Sequence, residues 1–111
     1  MSSVESMGAA YRALAERAWD SNRTRAAELT VLVNDWRRSG RWTPDQRERA
    51  RSVAHSLRGS AATFGHEHAS DAAEELEELL ASAPHEARLD TVAGLVERID
   101  EALAQEPELD F

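Results

Sequence analysis

Apolar residues recur every three or four positions along most of this 111-residue chain, and no stretch reads as a strand. That spacing is the helical period, so each stretch presents one apolar side to a shared interior. Met7, Tyr11, Leu14 and Ala18 open the pattern after Val4, and Ala26, Leu29, Val33 and Trp36 resume it. Gln46, Ala50, Val53, Leu57, Ala61 and Phe64 form the next stripe. Ala69, Ala72, Ala73, Leu76, Leu79 and Leu80 form another, and Leu89, Val92, Leu95, Val96, Ile99 and Leu103 the last. Much of the apolar content is alanine, whose small side chain lets helices pack closely. Only three prolines and five glycines interrupt the chain, and helix is favoured throughout.

The breaks between stripes are short. Thr43-Pro44-Asp45-Gln46 is the clearest: Thr43 caps, Pro44 suits the first helical position, and Gln46 completes a capping box. Gly40 and Gly65 are natural C-terminal stops, and Pro84 ends the helix after that. Asp20-Ser21-Asn22 reads as a break, which predicts a separate N-terminal helix over about 4–20. A single bent helix over 4–39 is the alternative, because the stripe nearly runs through. The expectation is one all-α domain over residues 1–111. It is an antiparallel up-down four-helix bundle over about 23–105 with an additional N-terminal helix and a loose acidic tail, 106–111.

Charge narrows the partners. The net charge is −8, divided as +4 over residues 1–65 and −12 over residues 66–111. Such a chain should be repelled by nucleic acid and by anionic membranes. There is no cysteine, which excludes disulfides and thiolate metal sites. Apolar runs of only a few residues predict neither a signal peptide nor a membrane span, and a cytoplasmic location is the expectation.

One helix carries an anomaly. At about 100° per residue, His55 points away from the apolar stripe of residues 46–64, with Glu48, Arg51, Arg58, Gly59 and Ala62 within about 60° of it. Glycine inside a helix costs about 1 kcal/mol relative to alanine. Beside an exposed imidazole, the missing side chain at Gly59 leaves room for an incoming group.

The residues that produce this arrangement, His55-Ser-Leu-Arg58-Gly59-Ser60-Ala-Ala-Thr-Phe64-Gly65, closely resemble the signature of histidine-containing phosphotransfer (HPt) domains. That signature is a histidine, a basic residue three on, a glycine four on, a small residue five on and a glycine ten on. The Phe64-Gly65 pair is most similar to the phosphotransfer domain of chemotaxis-type histidine kinases. The resemblance places a glutamate or glutamine 22 residues after the histidine, here Glu77. It implies that His55 accepts a phosphoryl group and exchanges it with a response-regulator aspartate. Glu77 would hold the ring, and Arg58, with Arg51, would offset phosphate charge. Glu48, Arg51, Ser60 and Ala62 would meet the partner. A histidine kinase and a receiver domain are the implied partners of a monomeric carrier that holds no cofactor or metal, the Mg²⁺ coming with the receiver. Two departures stand out: Arg58 where lysine is usual, and Glu74 where some chemotaxis relatives have histidine. No nucleotide-binding motif is present, so the chain is expected to have no kinase activity of its own.

Blander readings apply to other features. His66, Glu67 and His68 suggest a metal site, but residues two apart on a helix diverge by about 160°, and the expectation is the start of a helix. Seven arginines between Arg37 and Arg58 suggest a nucleic-acid surface, against the alternative, favoured by net charge, of a solvated helix face paired with the acidic helices. Trp19, Trp36 and Trp42 read as core or edge packing, Trp42 being a candidate for a partly exposed docking residue. A helical interaction module that carries no phosphate is the remaining alternative.

Overall fold

A computed structural model describes residues 3–82 and 87–109, with side chains from Ser6 onward. The expectations for Pro84, His85 and the last two residues lie outside the described residues. Four helices make up the fold: α1 (Ser3–Ser39), α2 (Pro44–Thr63), α3 (Glu67–Ser82) and α4 (Leu89–Leu103). Each packs on two neighbours in a closed square, α1 against α2 and α4, α3 against α2 and α4. Cross-helix bonds run in opposite senses along each pair. Asn22 meets Ser60 while Tyr11 meets Thr63, and Thr30 meets Asp100 while Trp19 meets Leu103. The bundle is therefore antiparallel throughout, as its short connections require.

The separate N-terminal helix is not formed: α1 is one helix through Asp20-Ser21-Asn22. Two of those polar side chains, Asp20 and Asn22, find partners that do not compete with the helical backbone bonds. Asp20 pairs with Arg23 at 3.0 Å. Asn22 is buried, its amide donating to Ser60 Oγ at 3.1 Å and its carbonyl accepting from Arg25 at 2.8 Å. At 1.5 Å per residue, α1 is about 55 Å long, close to the 57 Å long axis of the molecule. Its first turns, before Tyr11, run past the end of α2, where Tyr11 meets Thr63.

Leu29, Leu57, Leu76, Val92, Ile99 and Leu103 are fully buried at the centre, with Ala26, Ala50, Ala54, Ala61, Ala69, Ala72 and Ala73 between them. Each large side chain contributes about 1.5–3 kcal/mol by burial. The alanines bring the helix axes close. Trp42 is also buried, its indole Nε1 donating to the Leu32 carbonyl at 2.7 Å and its ring 4.7 Å from Trp36. It closes the α1–α2 corner and offers no docking surface. Among the described residues no helix is long and apolar enough to cross a membrane.

The start of α2 follows its sequence. Gln46 N–H donates to Thr43 Oγ1 at 3.1 Å, and Thr43 N–H donates to Gln46 Oε1 at 2.9 Å, a closed capping box. At its other end Gly65 has φ of +88° and His66 N–H reaches the Ala61 carbonyl at 2.8 Å. That left-handed turn reverses the chain into α3 within three residues. The C-terminal segment is not loose where it is described. Glu108 N–H donates to the Gly65 carbonyl at 2.9 Å, so residues 105–109 lie back across the α2–α3 turn.

Candidate functional site

His55 and Glu77 come together because α2 and α3 are antiparallel and joined by the tight turn at Gly65. Twenty-two residues of chain thus become one lateral contact. Nδ1 of His55 and Oε2 of Glu77 share a short hydrogen bond. An ionised carboxylate only accepts, so Nδ1 carries the proton and Nε2 keeps its lone pair. The His55 side chain is 61% exposed, whereas that of Glu77 is only 11% exposed. The acid is a buried support beneath an open ring.

A nearly buried carboxylate needs compensating charge. Arg58 provides it, its guanidinium lying 2.9 Å from Glu77 Oε1. Glu77 therefore spans both residues, one oxygen on the imidazole and the other on the arginine. Expected to face phosphate, Arg58 is placed first of all on Glu77. Its backbone is fixed as well, since the Ser70 hydroxyl donates to the Arg58 carbonyl at 2.9 Å.

Arg51 and Glu48 sit on the same outer face and pair with each other through two bonds, at 2.9 and 2.5 Å. The hydrogen bond from Arg51 draws the Glu48 carboxyl below its ordinary range, and the bond from Glu48 raises Arg51, with a smaller Coulombic contribution from Glu77. Gly59 is exposed, and a Cβ built there meets nothing within 4 Å. Ala62 is exposed on the same face. Ser60 is not on it. It is half-buried against α1, where its hydroxyl accepts from Asn22.

The other histidine of this region has a different environment. His66 is 5% exposed, its Nε2–H donates to the Gln105 carbonyl at 2.9 Å, and its ring lies 5.5 Å from that of Trp19, tilted by 46°. Sequence periodicity missed this role, because the partner arrives from 39 residues away. A cleft of about 560 Å³ lined by Gly65, His66, Glu67, His68 and Gln105 opens at this end of the bundle and does not include His55. Among the described residues no group of three or more His, Asp or Glu is placed to hold a metal ion.

The arginine segment is largely spoken for. Arg38 pairs with Asp35, Arg49 with Glu28, Arg51 with Glu48 and Arg58 with Glu77. The bond from Arg49 holds the Glu28 carboxyl below its usual range. The first three of these pairs lie within or between α1 and α2, and only Arg58 reaches one of the acidic helices expected to pair with this face.

A family model described as the Hpt domain matches residues 7–107. No curated protein and no solved structure matches the chain.

Proposed function

The chain belongs to the Hpt domain family, and from that premise we propose that His55 takes up a phosphoryl group and relays it to or from the aspartate of a response-regulator receiver. Hpt domains are carriers of histidine phosphate in two-component signalling, without kinase activity of their own, and they interact with histidine kinases and response regulators. The observation that carries the assignment to His55 is its hydrogen bond to Glu77 through Nδ1. Glu77 occupies Nδ1 and leaves Nε2 as the nucleophilic nitrogen of a side chain that is 61% exposed, while one turn on a Cβ at Gly59 would meet nothing within 4 Å.

In the transfer step the Nε2 lone pair forms the N–P bond as the aspartyl O–P bond breaks and the carboxylate leaves. The Nδ1 proton stays between the ring and Glu77, whose charge balances the cationic ring. Phosphate charge is offset by Arg58 and Arg51, both within the same face. In-line geometry and Mg²⁺ come with the receiver, and Gly59 lets the receiver's loops approach. Glu48 and Ala62 border the contact. A monomeric, cytoplasmic carrier is the form this proposal takes.

The test is incubation with a phosphorylated receiver or a kinase, followed by mapping of acid-labile label. Label is expected on His55 and absent from His55→Gln. Label on His66, His68 or His85 instead overturns the assignment.

A further inference from the structure

We propose that phosphorylation of His55 draws Arg51 away from Glu48 and onto the phosphoryl group. Glu48 is then the counter-ion that the phosphoryl displaces, and it holds the exchange with the receiver away from phosphohistidine. The inference rests on the phosphoacceptor reading above and adds what sets how tightly the group is held.

Helix direction selects Arg51. Each Cα–Cβ bond of a helix tilts toward the N-terminus, so a side chain covers the turn before its own. For His55 that turn carries Arg51, four residues earlier. Residues at this spacing have Cβ atoms about 5–6 Å apart, well within the reach of a guanidinium. Arg51 in turn leans back on Glu48, which accepts two bonds from it, at 2.9 and 2.5 Å.

The two arginines beside His55 are held unequally. Arg58 is bound to Glu77, whose side chain is 11% exposed, and its departure would strand a nearly buried charge. It offsets phosphate from a fixed place. Arg51 is bound to Glu48, whose side chain is 64% exposed, and water takes over from the arginine there at little cost. The bond from Glu48 raises the Arg51 pKa most, and Glu77 adds a smaller Coulombic share. The guanidinium thus already lies in the field of the acid beneath His55.

Charge decides the exchange. A phosphoryl group brings about two negative charges and three strong acceptor oxygens, against the single charge of Glu48. Offered both, Arg51 goes to the phosphoryl. Glu48 is then left ionised and without its arginine, about 10 Å from His55 along the helix axis. Holding phosphate on His55 therefore costs the pair with Glu48, and a chain without that pair holds phosphate better.

The experiment mixes the full chain with a receiver domain charged by acetyl phosphate and then freed of it. The equilibrium ratio of phosphorylated chain to phosphorylated receiver is measured, a quantity that docking does not alter. Glu48→Gln is expected to shift it about threefold toward phosphohistidine, and Arg51→Gln about tenfold away. The double variant Glu48→Gln/Arg51→Gln should match Arg51→Gln alone, because Glu48 acts only through the arginine. In parallel the parent is labelled with phosphoramidate, a donor too small to need docking, and the Arg51 Nε–H resonance should move on labelling. A parent ratio in Glu48→Gln overturns the proposal. The same shift persisting in the Arg51→Gln background makes Glu48 a plain charge effect and overturns it as well. So does an Arg51 resonance that labelling leaves in place. A parent chain that neither donor labels removes the phosphoacceptor reading and this proposal with it.

Discussion

Gly59 and Gly65 stand six residues apart in one motif, and their surroundings are opposite. Beyond Gly59 a Cβ would enter open space; at Gly65 it would collide with the Glu108 backbone carbonyl. The two histidines divide the same way: the His55 side chain is 61% exposed, while His66 is buried under Trp19 and Gln105. One end of the motif keeps a surface clear, and the other is sealed by the returning C-terminal segment. A glycine in a motif thus has no single meaning. Its role depends on whether the space it leaves is already filled by the protein itself.

The sharpest way to break this contrast is Gly65→Ala. A left-handed backbone costs an L-residue about 1–2 kcal/mol, and the new methyl would collide with backbone, which cannot rotate aside. A loss of about 3 kcal/mol in chemical denaturation is expected, with His55 still labelled in the folded fraction. Parent stability would show that the segment at Glu108 yields freely and that this end is not sealed. Next in size is Glu77→Ala, which should slow transfer to His55 about tenfold, equivalent to about 1.4 kcal/mol of barrier. Its helical circular dichroism should stay close to the parent's. Unchanged transfer rates remove Glu77 from the site. Smaller again is His66→Phe, which keeps the ring beside Trp19 but drops the bond to Gln105, a cost of about 1 kcal/mol. Phosphoramidate labelling of His55 should be unaffected, and a loss of labelling would mean that the two ends of the motif are coupled.

What the sequence disclosed follows the same division. The outward direction of His55, Arg58, Gly59 and Ala62 is a property of one helix, and a fixed angle per residue suffices to find it. The capping box at Thr43 and the reversal at Gly65 are equally local. Glu77 was found through the family resemblance; the helix pattern alone does not single it out of the acidic run from Glu74 to Glu78. Contacts made across the bundle were hidden. Ser60 turns to Asn22, Trp42 packs into the α1–α2 corner, and Glu108 returns to Gly65. The same blindness split α1 in two. Asp20, Ser21 and Asn22 favour a break when taken alone, but Asn22 is stabilised in the helix by a partner on α2 that only the folded bundle supplies. Arg58 shows the limit inside the site itself: its face was legible, its bond to Glu77 was not.

The smallest effect is the one that sharpens the contrast most, because its sign is reversed. At Gly59 the helix is regular, the side is exposed and nothing stands within 4 Å of the added atom. Alanine there loses less conformational entropy on folding and shields no buried group, so Gly59→Ala should stabilise the protein by about 0.5–1 kcal/mol. The melting temperature should rise by several degrees, against the fall expected for the same change at Gly65. If the space serves an incoming partner, that gain in stability comes with slower transfer from a charged receiver and an unaltered rate of labelling by phosphoramidate. A bulkier side chain should slow receiver transfer further while leaving helix content near normal. A higher melting temperature with receiver transfer at the parent rate would leave Gly59 as a glycine whose clearance nothing uses.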